Sequence, residues 1–554
     1  MSGESTNSPS MTSPGSIIDA TVKYRLGFPS PLPPYKTPHY IPSKDIPGEM
    51  IMDAVISSLH QRKVDFHSIC IVSRQASAVL LEPRPTVRIA APCVEDDSWY
   101  LLLRDIDEFL IRNFSLLGQH ICVEICDPMA FRLPAHFPIE KDHPIVAVWE
   151  DLVQDIVEIV GITSQWSSIC AVRRGFDTIV VNNPVTIIVT SKYPALLEAH
   201  RATIRFRCRD YRLQEIDVAF VEVDDGFRSA DNGRSFPVVD ELFMGAGVGL
   251  GSDPDATGTL GGTLTMTNGD TKHVVGFTSF HVVAASNAMD QVFIPNEPAN
   301  PAIPLVSPSN YDFNREVDIT QQALEQAQET LAIFTNTHGT AEPDDRRQNK
   351  KNKMKAAITQ FQNEVEELSN FDRRAGTLWA GSGFCSRNAD DGVIMNWALI
   401  SLPDHRHFSN TLPSAAEFEA LQPSMKFLPY LFPDSNQVET FSHCAGDMLL
   451  VFKKGRSTGL TMGTMTALRP RVNINGRVAR AWHVVGRLGG MGMGRVFADK
   501  GDEGAWVIDQ EGRCVGFLFS SCAEMSCGGD AYVMPADGVV GDIERVTGWS
   551  VSLA

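Results

Sequence analysis

Three short segments in the second half of the chain carry residues whose types could do chemistry. His281 follows a β-like run in TKHVVGFTSFHVV, Asn396 precedes the apolar run WALI, and Glu503 lies in the loop Gly501-Asp502-Glu503-Gly504. An imidazole can take up and return a proton near neutral pH, and a polar side chain beside it can hold its orientation. Backbone N–H groups on a tight glycine loop can stabilise an oxyanion. These residue types could together transfer a proton and hold a developing negative charge.

Each segment alone is a weak signal, because a single histidine near a strand is usually a packed core or turn residue. Taken in chain order with β-rich flanks, the three segments resemble the His, Asp and Ser segments of a chymotrypsin-like serine peptidase, in the version found in fungal trypsin-like peptidase domains. Two further segments support the resemblance: VFKKGRSTGLTMGTMTAL at 451–468 is similar to the strand pair that opens the second barrel, and AYVMPADGVVGDIERVTGW at 531–549 to the closing strand and C-terminal helix. The resemblance covers residues 258–550 and implies an all-β double barrel.

The sequence departs from that family at two of the three catalytic positions. The resemblance puts His281 at the base, Asn396 where the family has Asp, and Glu503 where it has the nucleophilic Ser. In a serine peptidase the Asp-to-Asn exchange costs about 10⁴ in turnover, because the amide favours the wrong imidazole tautomer. A carboxylate that attacked a peptide carbonyl would give a mixed anhydride, so we expect the covalent acyl route to be closed.

Two arrangements of Glu503 follow as hypotheses. Its carboxylate could pair with His281 and raise the pKa of the imidazole, so that the charge missing at Asn396 reappears on the opposite side of the ring. Alternatively, it could fold onto the N–H groups of Gly501 and its own neighbours and fill the oxyanion hole, to which the resemblance assigns Gly501 and Glu503. Both arrangements predict a plugged cleft.

Other groups could in principle restore activity. The resemblance places four hydroxyls at the edge of the cleft and not beside the base: Ser457, Thr458, Ser520 and Ser521. Two carboxylates, Asp390 and Asp391, precede Asn396 and are typical of a hairpin turn. We therefore expect none of these groups to replace the missing ones.

A peptide could bind without being cut. The run Phe517, Leu518, Phe519 and Ser520 resembles the strand with which the family pairs its substrate. An extended peptide or protein segment could add to it as a further strand.

Composition excludes several other classes of protein. The chain has 554 residues, with 48 Lys and Arg against 67 Asp and Glu, and its net charge of −19 argues against a nucleic-acid partner. No run of eighteen apolar residues occurs, which argues against a membrane-spanning protein. The first fifteen residues lack the pattern of a secretory signal, so we expect a cytoplasmic location. Eleven cysteines without a CxxC pair favour reduced thiols, and we expect no metal and no cofactor.

Upstream of the peptidase-like part, the sequence predicts a tail and two α+β units. Residues 1–48 are rich in Ser, Pro and Thr and are predicted to be disordered. Ser68-Ile69-Cys70 recurs as Ser168-Ile169-Cys170, and Val123-Glu124-Ile125 recurs as Val221-Glu222-Val223. These matches predict two small units of similar fold, at 49–130 and 145–227, although short strand motifs can also match by accident. The glycine-rich segment 228–257 is predicted to be a linker.

A helical hairpin is predicted at 316–370, inserted into the peptidase-like part. Apolar residues share one face of each helix: Leu324, Ala327, Leu331 and Phe334 in the first, and Met354, Ile358, Phe361, Val365 and Leu368 in the second. The connection holds six basic residues between Arg346 and Lys355. It could be a solvated loop tip, a docking point or a weak nuclear-import signal.

The leading functional hypothesis is a catalytically inactive trypsin-like homologue, a pseudopeptidase that binds a peptide or protein segment in its cleft. On this view the helical hairpin and the N-terminal units recruit protein partners. The alternatives are a serine-peptidase-like hydrolase with a non-standard catalytic set, and a structural scaffold without a ligand.

Overall fold

The computed structural model describes most of the chain in separate ranges. These are residues 25–28, 41–42, 48–74, 84–93, 97–114, 121–127, 134–161, 166–177, 179–223, 241–284, 290–295, 297, 302–336, 344–387, 392–414, 416–418, 436–442, 448–474, 476–486, 496–522 and 529–554. The chain divides into two compact units, Met1–Pro134 and Ala135–Ala554. None of the helices within the described ranges combines the length and the apolar character needed to cross a membrane.

In its described residues, the first unit is a five-stranded sheet with two helices. Its elements are β1 Arg25–Phe28, β2 Ile41–Pro42, α1 Gly48–Arg62, β3 Ser68–Arg74, β4 Arg84–Ala90, α2 Ser98–Phe114 and β5 Cys122–Cys126. The strand order is β1-β5-β4-β3-β2, with β4 and β5 parallel and the other pairs antiparallel. Ile51, Val55 and Leu59 are spaced four residues apart, so they share one face of α1 and bury it in the core of the unit.

Part of the predicted tail belongs to this sheet. Strand β1 lies within residues 1–48 and pairs with β5, and β2 pairs with the end of β3. Composition cannot predict a strand as short as β1, because the strand is stabilised by β5, about a hundred residues away in the chain. The remainder of the predicted tail lies outside the described residues, apart from Gly48 at the start of α1.

The second unit begins with an α+β part. Its elements are β6 Ala135–Phe137, α3 Pro144–Val160, β7 Ser168–Gly175, β8 Val185–Ser191, α4 Pro194–Leu197, α5 Arg201–Asp210 and β9 Asp217–Glu222, with single 3₁₀ turns at Val180–Asn182 and Glu198–His200. Strands β7 and β8 are antiparallel, whereas β8 and β9 are parallel. Two helices pack their apolar faces on one side of these strands.

Both α+β parts follow the order helix, strand, strand, helix, strand, with the same pairing. Ser68 is opposite Ala90, and Ser168 is opposite Thr190, 100 residues further on in both strands. The third strands of the two parts align differently from the predicted match. Cys122 pairs with Thr86, and Asp217 pairs with the equivalent Thr186, so Cys122 corresponds to Asp217, 95 residues further on. The predicted match of Val123-Glu124-Ile125 to Val221-Glu222-Val223 is therefore out of register, since hydrogen-bond pairing aligns strands more strictly than three similar letters. Whether the two parts arose by duplication stays a prediction.

An eight-stranded sheet follows. Its elements and their neighbours are β10 Leu242–Phe243, β11 Ala246–Leu250, β12 Gly258–Leu260, β13 Gly262–Asn268, β14 Thr271–Ser279, α6 Phe280–Val283, β15 Pro304–Val306, β16 Arg374–Gly381, β17 Cys385–Arg387, β18 Val393–Met395, β19 Trp397–Ser401 and β20 Phe408–Ser409. The sheet has the order β12-β11-β15-β16-β19-β14-β13 and ends with a strand from the C-terminus.

The predicted linker 228–257 holds one of these strands. Residues 246–250 form β11, which is buried along its whole length. Its glycines permit close packing: a Cβ at Gly247 would collide with Asp312, and one at Gly249 would collide with the backbone of Ala256. Glycine-rich composition indicates flexible chain only when nothing packs against it, so the interpretation as a linker fails here.

Two long helices lie between β15 and β16. They are α7 Asn310–Asn336 and α8 Asp344–Asn370, and they pack against each other. The first begins at Asn310 and not at 316, because Ser309 caps it: the Ser309 hydroxyl accepts a hydrogen bond from the N–H of Asp312 at 3.2 Å.

The C-terminal part contains a closed six-stranded barrel. Its elements and their neighbours are β21 Leu449–Gly455, β22 Gly459–Met465, β23 Arg471–Ile474, β24 Arg477–Arg480, β25 Trp482–Gly486, β26 Trp506–Asp509, β27 Cys514–Cys522, β28 Asp530–Pro535, α9 Ala536–Thr547 and β29 Ser550–Leu553. The barrel order is β21-β22-β25-β28-β27-β26, and β29 pairs with β13 of the eight-stranded sheet. The prediction of a mostly β C-terminal part with barrel-like sheets is confirmed.

The second α+β part shares a sheet and buried polar contacts with this C-terminal part. Strand β23 pairs with β7, which makes one sheet of β17-β18-β24-β23-β7-β8-β9. The Ser168 hydroxyl lies 2.7 Å from the Tyr532 hydroxyl. The Asp530 carboxylate lies 2.7 Å from Nδ1 of His136 and 3.1 Å from Nε2 of His483. All three side chains are buried. The separate domain predicted at 145–227 is thus an integral part of the second unit.

Candidate functional site

His281 and Asn396 meet as the resemblance implies. His281 lies in the single turn α6 that follows β14, and Asn396 lies between β18 and β19. Because β14 pairs with β19 at Ser279 and Trp397, the two side chains face each other. Nδ2 of Asn396 lies 2.6 Å from Nδ1 of His281, and Oδ1 of Asn396 accepts a hydrogen bond from the backbone N–H of His281 at 3.0 Å. Both side chains are buried.

This contact selects one tautomer of the imidazole. The backbone N–H of His281 can only donate, so it fixes the amide oxygen of Asn396 on its side and turns the amide NH₂ toward Nδ1. Nδ1 must then accept, and the proton of a neutral ring sits on Nε2. A ring with a proton on Nε2 cannot take a proton from a nucleophile on that side.

Burial lowers the pKa of His281 to about 4, against a smaller opposing effect of the Asn396 hydrogen bond. The ring is therefore neutral at pH 7. This direction contradicts the hypothesis that pairing with Glu503 raises the pKa of His281. Desolvation wins because a fully buried cation loses its hydration, and an amide supplies no charge to replace it.

Glu503 adopts the second of the two arrangements. Its Oε2 accepts a hydrogen bond from the backbone N–H of Gly501 at 2.7 Å, and its Oε1 lies 3.4 Å from the hydroxyl of Ser521. Gly501 and Gly504 both have left-handed backbone angles, φ +95° and +100°, which this tight loop requires. The predicted oxyanion donor at Gly501 is thus occupied by the side chain two residues later.

Burial raises the pKa of Glu503 to about 7. Backbone N–H donors oppose this rise, and the nearby charges of Asp502 and Asp499 add to it. Near pH 7 the carboxyl group is therefore shared between its ionised and protonated forms, and either form can accept the hydrogen bond from Gly501.

The loop of Glu503 is hydrogen-bonded to β12 and lies against the end of β14, the strand that precedes His281. The carbonyl oxygen of Glu503 accepts a hydrogen bond from Thr259 N at 2.8 Å, and the Thr259 hydroxyl donates to the Gly501 carbonyl at 2.8 Å. A Cβ on Gly504 would lie 3.0 Å from the backbone nitrogen of Ser279, two residues before His281. The structure therefore brings the three sequence segments together at one place.

Asp502 anchors the loop to the first strand of the closed barrel. Its carboxylate lies 2.7 Å from Nζ of Lys453 and accepts a hydrogen bond from the N–H of Ser457 at 2.7 Å. It also accepts hydrogen bonds from the N–H and hydroxyl of Thr458. The sequence analysis missed Lys453, which follows four apolar residues of β21 and precedes Lys454, so that no local pattern distinguishes the buried lysine from the partly exposed one.

A second buried ion pair joins α7 to the same loop. Nε of Arg456 donates to Oδ1 of Asp312 at 2.8 Å, and its backbone N–H donates to Thr259 at 2.9 Å. A Cβ on Gly501 would lie 2.6 Å from the Arg456 guanidinium, so the two are in direct contact. The base of the helical hairpin is therefore connected to the loop that carries Glu503. No local sequence pattern pointed to this pair.

The predicted substrate strand is paired on both sides at Phe517 and Leu518. Phe517, Leu518 and Phe519 are fully buried. Phe517 pairs with both β26 and β28, and Leu518 donates to Ala505 and accepts from Gly504. A central barrel strand has no edge for a peptide, so the assignment of Phe517 and Leu518 as peptide-pairing residues is wrong. Ser520 and Ser521 pair with β28 on one side, and the described residues place no strand on the other.

Three of the four hydroxyls considered for rescue have hydrogen-bond partners in the structure. Ser457 donates to the carbonyl of Lys500, and Thr458 contacts both Asp502 and Lys453. Ser521 faces Glu503. Asp390 and Asp391 lie outside the described residues.

No family model matches the chain, and no curated protein matches it. Solved structures with similarity include a glutamic acid-specific serine protease that uses a histidine triad in substrate binding, at 11% identity and a TM-score of 0.28, covering 56% of this chain and 100% of that chain. Thermobifida fusca Protease A is 10% identical with a TM-score of 0.27 over 56% of this chain and 100% of that chain. Cellulomonas bogoriensis chymotrypsin is 16% identical with a TM-score of 0.22 over 32% of this chain and 75% of that chain. Similarities this low establish neither family nor activity.

Proposed function

We propose that the C-terminal part is a catalytically inactive trypsin-like peptidase homologue that holds an extended peptide segment of a partner protein. The observation that supports inactivity is the carboxylate of Glu503 on the N–H of Gly501, where the family places its nucleophile and its oxyanion. The tautomer imposed on His281 by Asn396 adds a second obstacle. A serine peptidase needs a hydroxyl, an accepting imidazole nitrogen and a vacant oxyanion hole, and each of these is missing or blocked.

Peptide binding is supported by the edge at Ser520 and Ser521, which carries no other strand among the described residues. This edge ends beside Glu503, because the Ser521 hydroxyl faces the carboxylate. A peptide that paired there would run past the plugged site without reaching a nucleophile. Main-chain hydrogen bonds would supply affinity, as in other cases of strand addition.

The test combines a serine-reactive probe with a restored triad. A fluorophosphonate labels only an activated serine, so the wild-type protein should stay unlabelled. The double variant Glu503→Ser with Asn396→Asp should be labelled and should cleave members of a peptide library. Adding His281→Ala to the double variant should abolish both signals. Labelling of the wild-type protein would refute the proposed inactivity, and a silent double variant that binds no library peptide would refute the cleft as a peptide site.

A hydrolase with a non-standard catalytic set is the second candidate. The observation that favours it is the pKa of about 7 at Glu503, which suits a general acid or base. Such an enzyme would hydrolyse library peptides as the wild type and would lose that activity in Glu503→Gln. The pseudopeptidase proposal expects no hydrolysis from either protein.

Partner recruitment by the helical hairpin and the N-terminal units belongs to the same proposal. It is supported by the two helices that interrupt the β-rich part and by their anchor at Asp312 and Arg456. The relation to fungal trypsin-like domains rests on the sequence segments alone. The cytoplasmic location stays a prediction.

A further inference from the structure

Helix α7 carries a second stripe of apolar and small residues beside the one that packs against α8. The residues that face α8 are half-buried: Leu324, Ala327, Leu331 and Phe334. The second stripe lies about a quarter of a turn away and repeats at steps of four and three residues, as Ile319, Ala323, Gln326, Thr330 and Ile333. Ile319 is 42% exposed and Ile333 is 69% exposed, so α8 does not bury this stripe.

Helix α8 has a matching stripe on the same side of the helical hairpin. Its residues that face α7 are half-buried: Met354, Ile358, Phe361 and Val365. Its second stripe consists of Lys353, Ala357 and Gln360. In both helices the second stripe lies about a quarter of a turn back from the facing residues, against the winding of the chain. Because the two right-handed helices are antiparallel and face each other, equal offsets put both stripes on one side.

Two lysines of α8 lie beside the exposed stripe near the tip of the hairpin. Lys350 and Lys353 are six and nine residues from the start of α8, and Thr330 is six residues from the end of α7. Since the helices are antiparallel, both lysines lie within about a turn of Thr330 along the hairpin. Both lysine side chains are exposed, and Lys353 forms no ion pair with another described residue.

The pattern and charge of this face determine what it can bind. Residues at steps of four and three pack against the same pattern on another helix, and the stripe from 319 to 333 is about 21 Å long, which corresponds to about four helical turns. Exposed lysines beside such a stripe attract carboxylates. Most of this chain repels an acidic segment, because the net charge is −19, so the lysines near the tip would orient such a segment on this face.

We propose that this face of the helical hairpin, along residues 319–333 and beside Lys353, binds an acidic amphipathic helix of a partner protein. The apolar residues of the partner helix pack on the α7 stripe, and its carboxylates pair with the lysines of α8. Since partner recruitment by the hairpin is part of the proposed function, this inference rests on it, whereas the surface is independent of the peptidase-like cleft.

A fluorescein-labelled synthetic helix of about 18 residues, roughly five turns, tests the proposal on the full-length protein. The peptide has leucine at steps of four and three residues and glutamate at the flanking positions. We expect saturable binding, measured by fluorescence anisotropy. A second peptide, with lysine in place of each glutamate and matched helical content by circular dichroism, should bind at least about tenfold more weakly.

Two variants separate the apolar and the charged parts of this face. Ile333→Asp places a charge on the α7 stripe and should weaken the glutamate peptide at least about tenfold. Lys353→Glu should weaken that peptide about fivefold and strengthen binding of the lysine peptide, which covers the case that Ile333→Asp does not fold. Lys355 and Gln328 are exposed on the opposite side of the hairpin. The matched controls Lys355→Glu and Gln328→Asp should therefore bind within about twofold of the wild type.

Absent binding of the glutamate peptide would overturn the proposal, and so would equal losses in Lys353→Glu and Lys355→Glu. Sedimentation velocity of the protein without peptide tests another occupant. A dimer that Ile333→Asp converts to a monomer would mean that a second copy covers this face, and it would also overturn the proposal. None of these results changes the fluorophosphonate labelling of the restored triad, so a failure here is distinguishable from a failure of the peptide cleft.

Discussion

The Nζ atom of Lys453 lies 2.7 Å from Oδ2 of Asp502, and neither side chain is accessible to solvent. Lys453 is on the first strand of the closed barrel, and Asp502 directly precedes Glu503. The pair therefore holds the backbone that positions Gly501 and Glu503. Asp502 would be left as an uncompensated buried charge without its lysine.

Lys453→Met should lower the free energy of unfolding by about 3–5 kcal/mol, because it leaves the Asp502 carboxylate buried without its counter-ion. Urea denaturation followed by fluorescence measures this change. The neighbouring Lys454 is a matched control: its pair with Glu417 is partly exposed, so Lys454→Met should cost less than about 1 kcal/mol. Equal losses in the two variants would show that the buried pair is not what holds the loop.

Glu503→Gln should change how stability depends on pH. The pKa of Glu503 is raised to about 7 in the folded state, so the folded chain holds a proton that the unfolded chain releases near pH 4.5. Wild-type stability should therefore fall as the pH rises from 4.5 to 7 and level off above. Relative to Glu503→Gln, the wild-type protein should lose about 3 kcal/mol of its free energy of unfolding between pH 4 and pH 8. A constant difference between the two proteins across this range would contradict the buried carboxyl.

Nitrogen-15 NMR of the His281 ring tests the tautomer. In the wild type the proton should sit on Nε2, with a titration midpoint near 4. Asn396→Asp supplies an acceptor and a charge, so the proton should move to Nδ1 and the pKa should rise above its usual 6.5. A proton on Nδ1 in the wild type would mean that the amide of Asn396 is turned the other way.

Asp312→Asn should loosen the base of the helical hairpin. Its carboxylate is the buried partner of Arg456, so the free energy of unfolding should fall by about 3 kcal/mol. Amide hydrogen exchange should also become faster at 501–504, because Arg456 packs against Gly501. Asp318→Asn, at an exposed position on the same helix, should leave both measurements unchanged.

Asp530→Asn should remove an acid-sensitive contribution to stability. Burial alone would raise the pKa of Asp530, but His136 and His483 outweigh it and lower the pKa to about 2. The contribution is therefore present above pH 4 and is lost as the pH falls toward 2. Relative to the variant, the wild type should lose about 2 kcal/mol over that interval. Acid denaturation curves of the two proteins measure this difference. Parallel curves between pH 4 and pH 2 would contradict the prediction.

Much of the local structure was predictable because its signals lie within a few residues. Alternating apolar residues predict strands such as β7 and β8, and the pair β21 and β22 follows from its glycine turn. The strand β11 was mistaken for a linker, because the contacts that bury Gly247 come from Asp312 and Arg456. Composition contains no trace of those distant neighbours.

The sequence by itself determined which residues occupy the three positions of the site and the order in which they occur. The resemblance to trypsin-like peptidases, which also comes from the sequence, predicts that the serine hydroxyl and the aspartate are missing from those positions. Only the tertiary structure decided that Glu503 turns to Gly501, that Asn396 presents its NH₂ to His281, and that Lys453 and Arg456 hold the loop. The physical reason is that burial sets the charges of these groups, and that Asn396, Lys453 and Arg456 meet partners 49 to 144 residues away in the chain. Local spacing encodes neither.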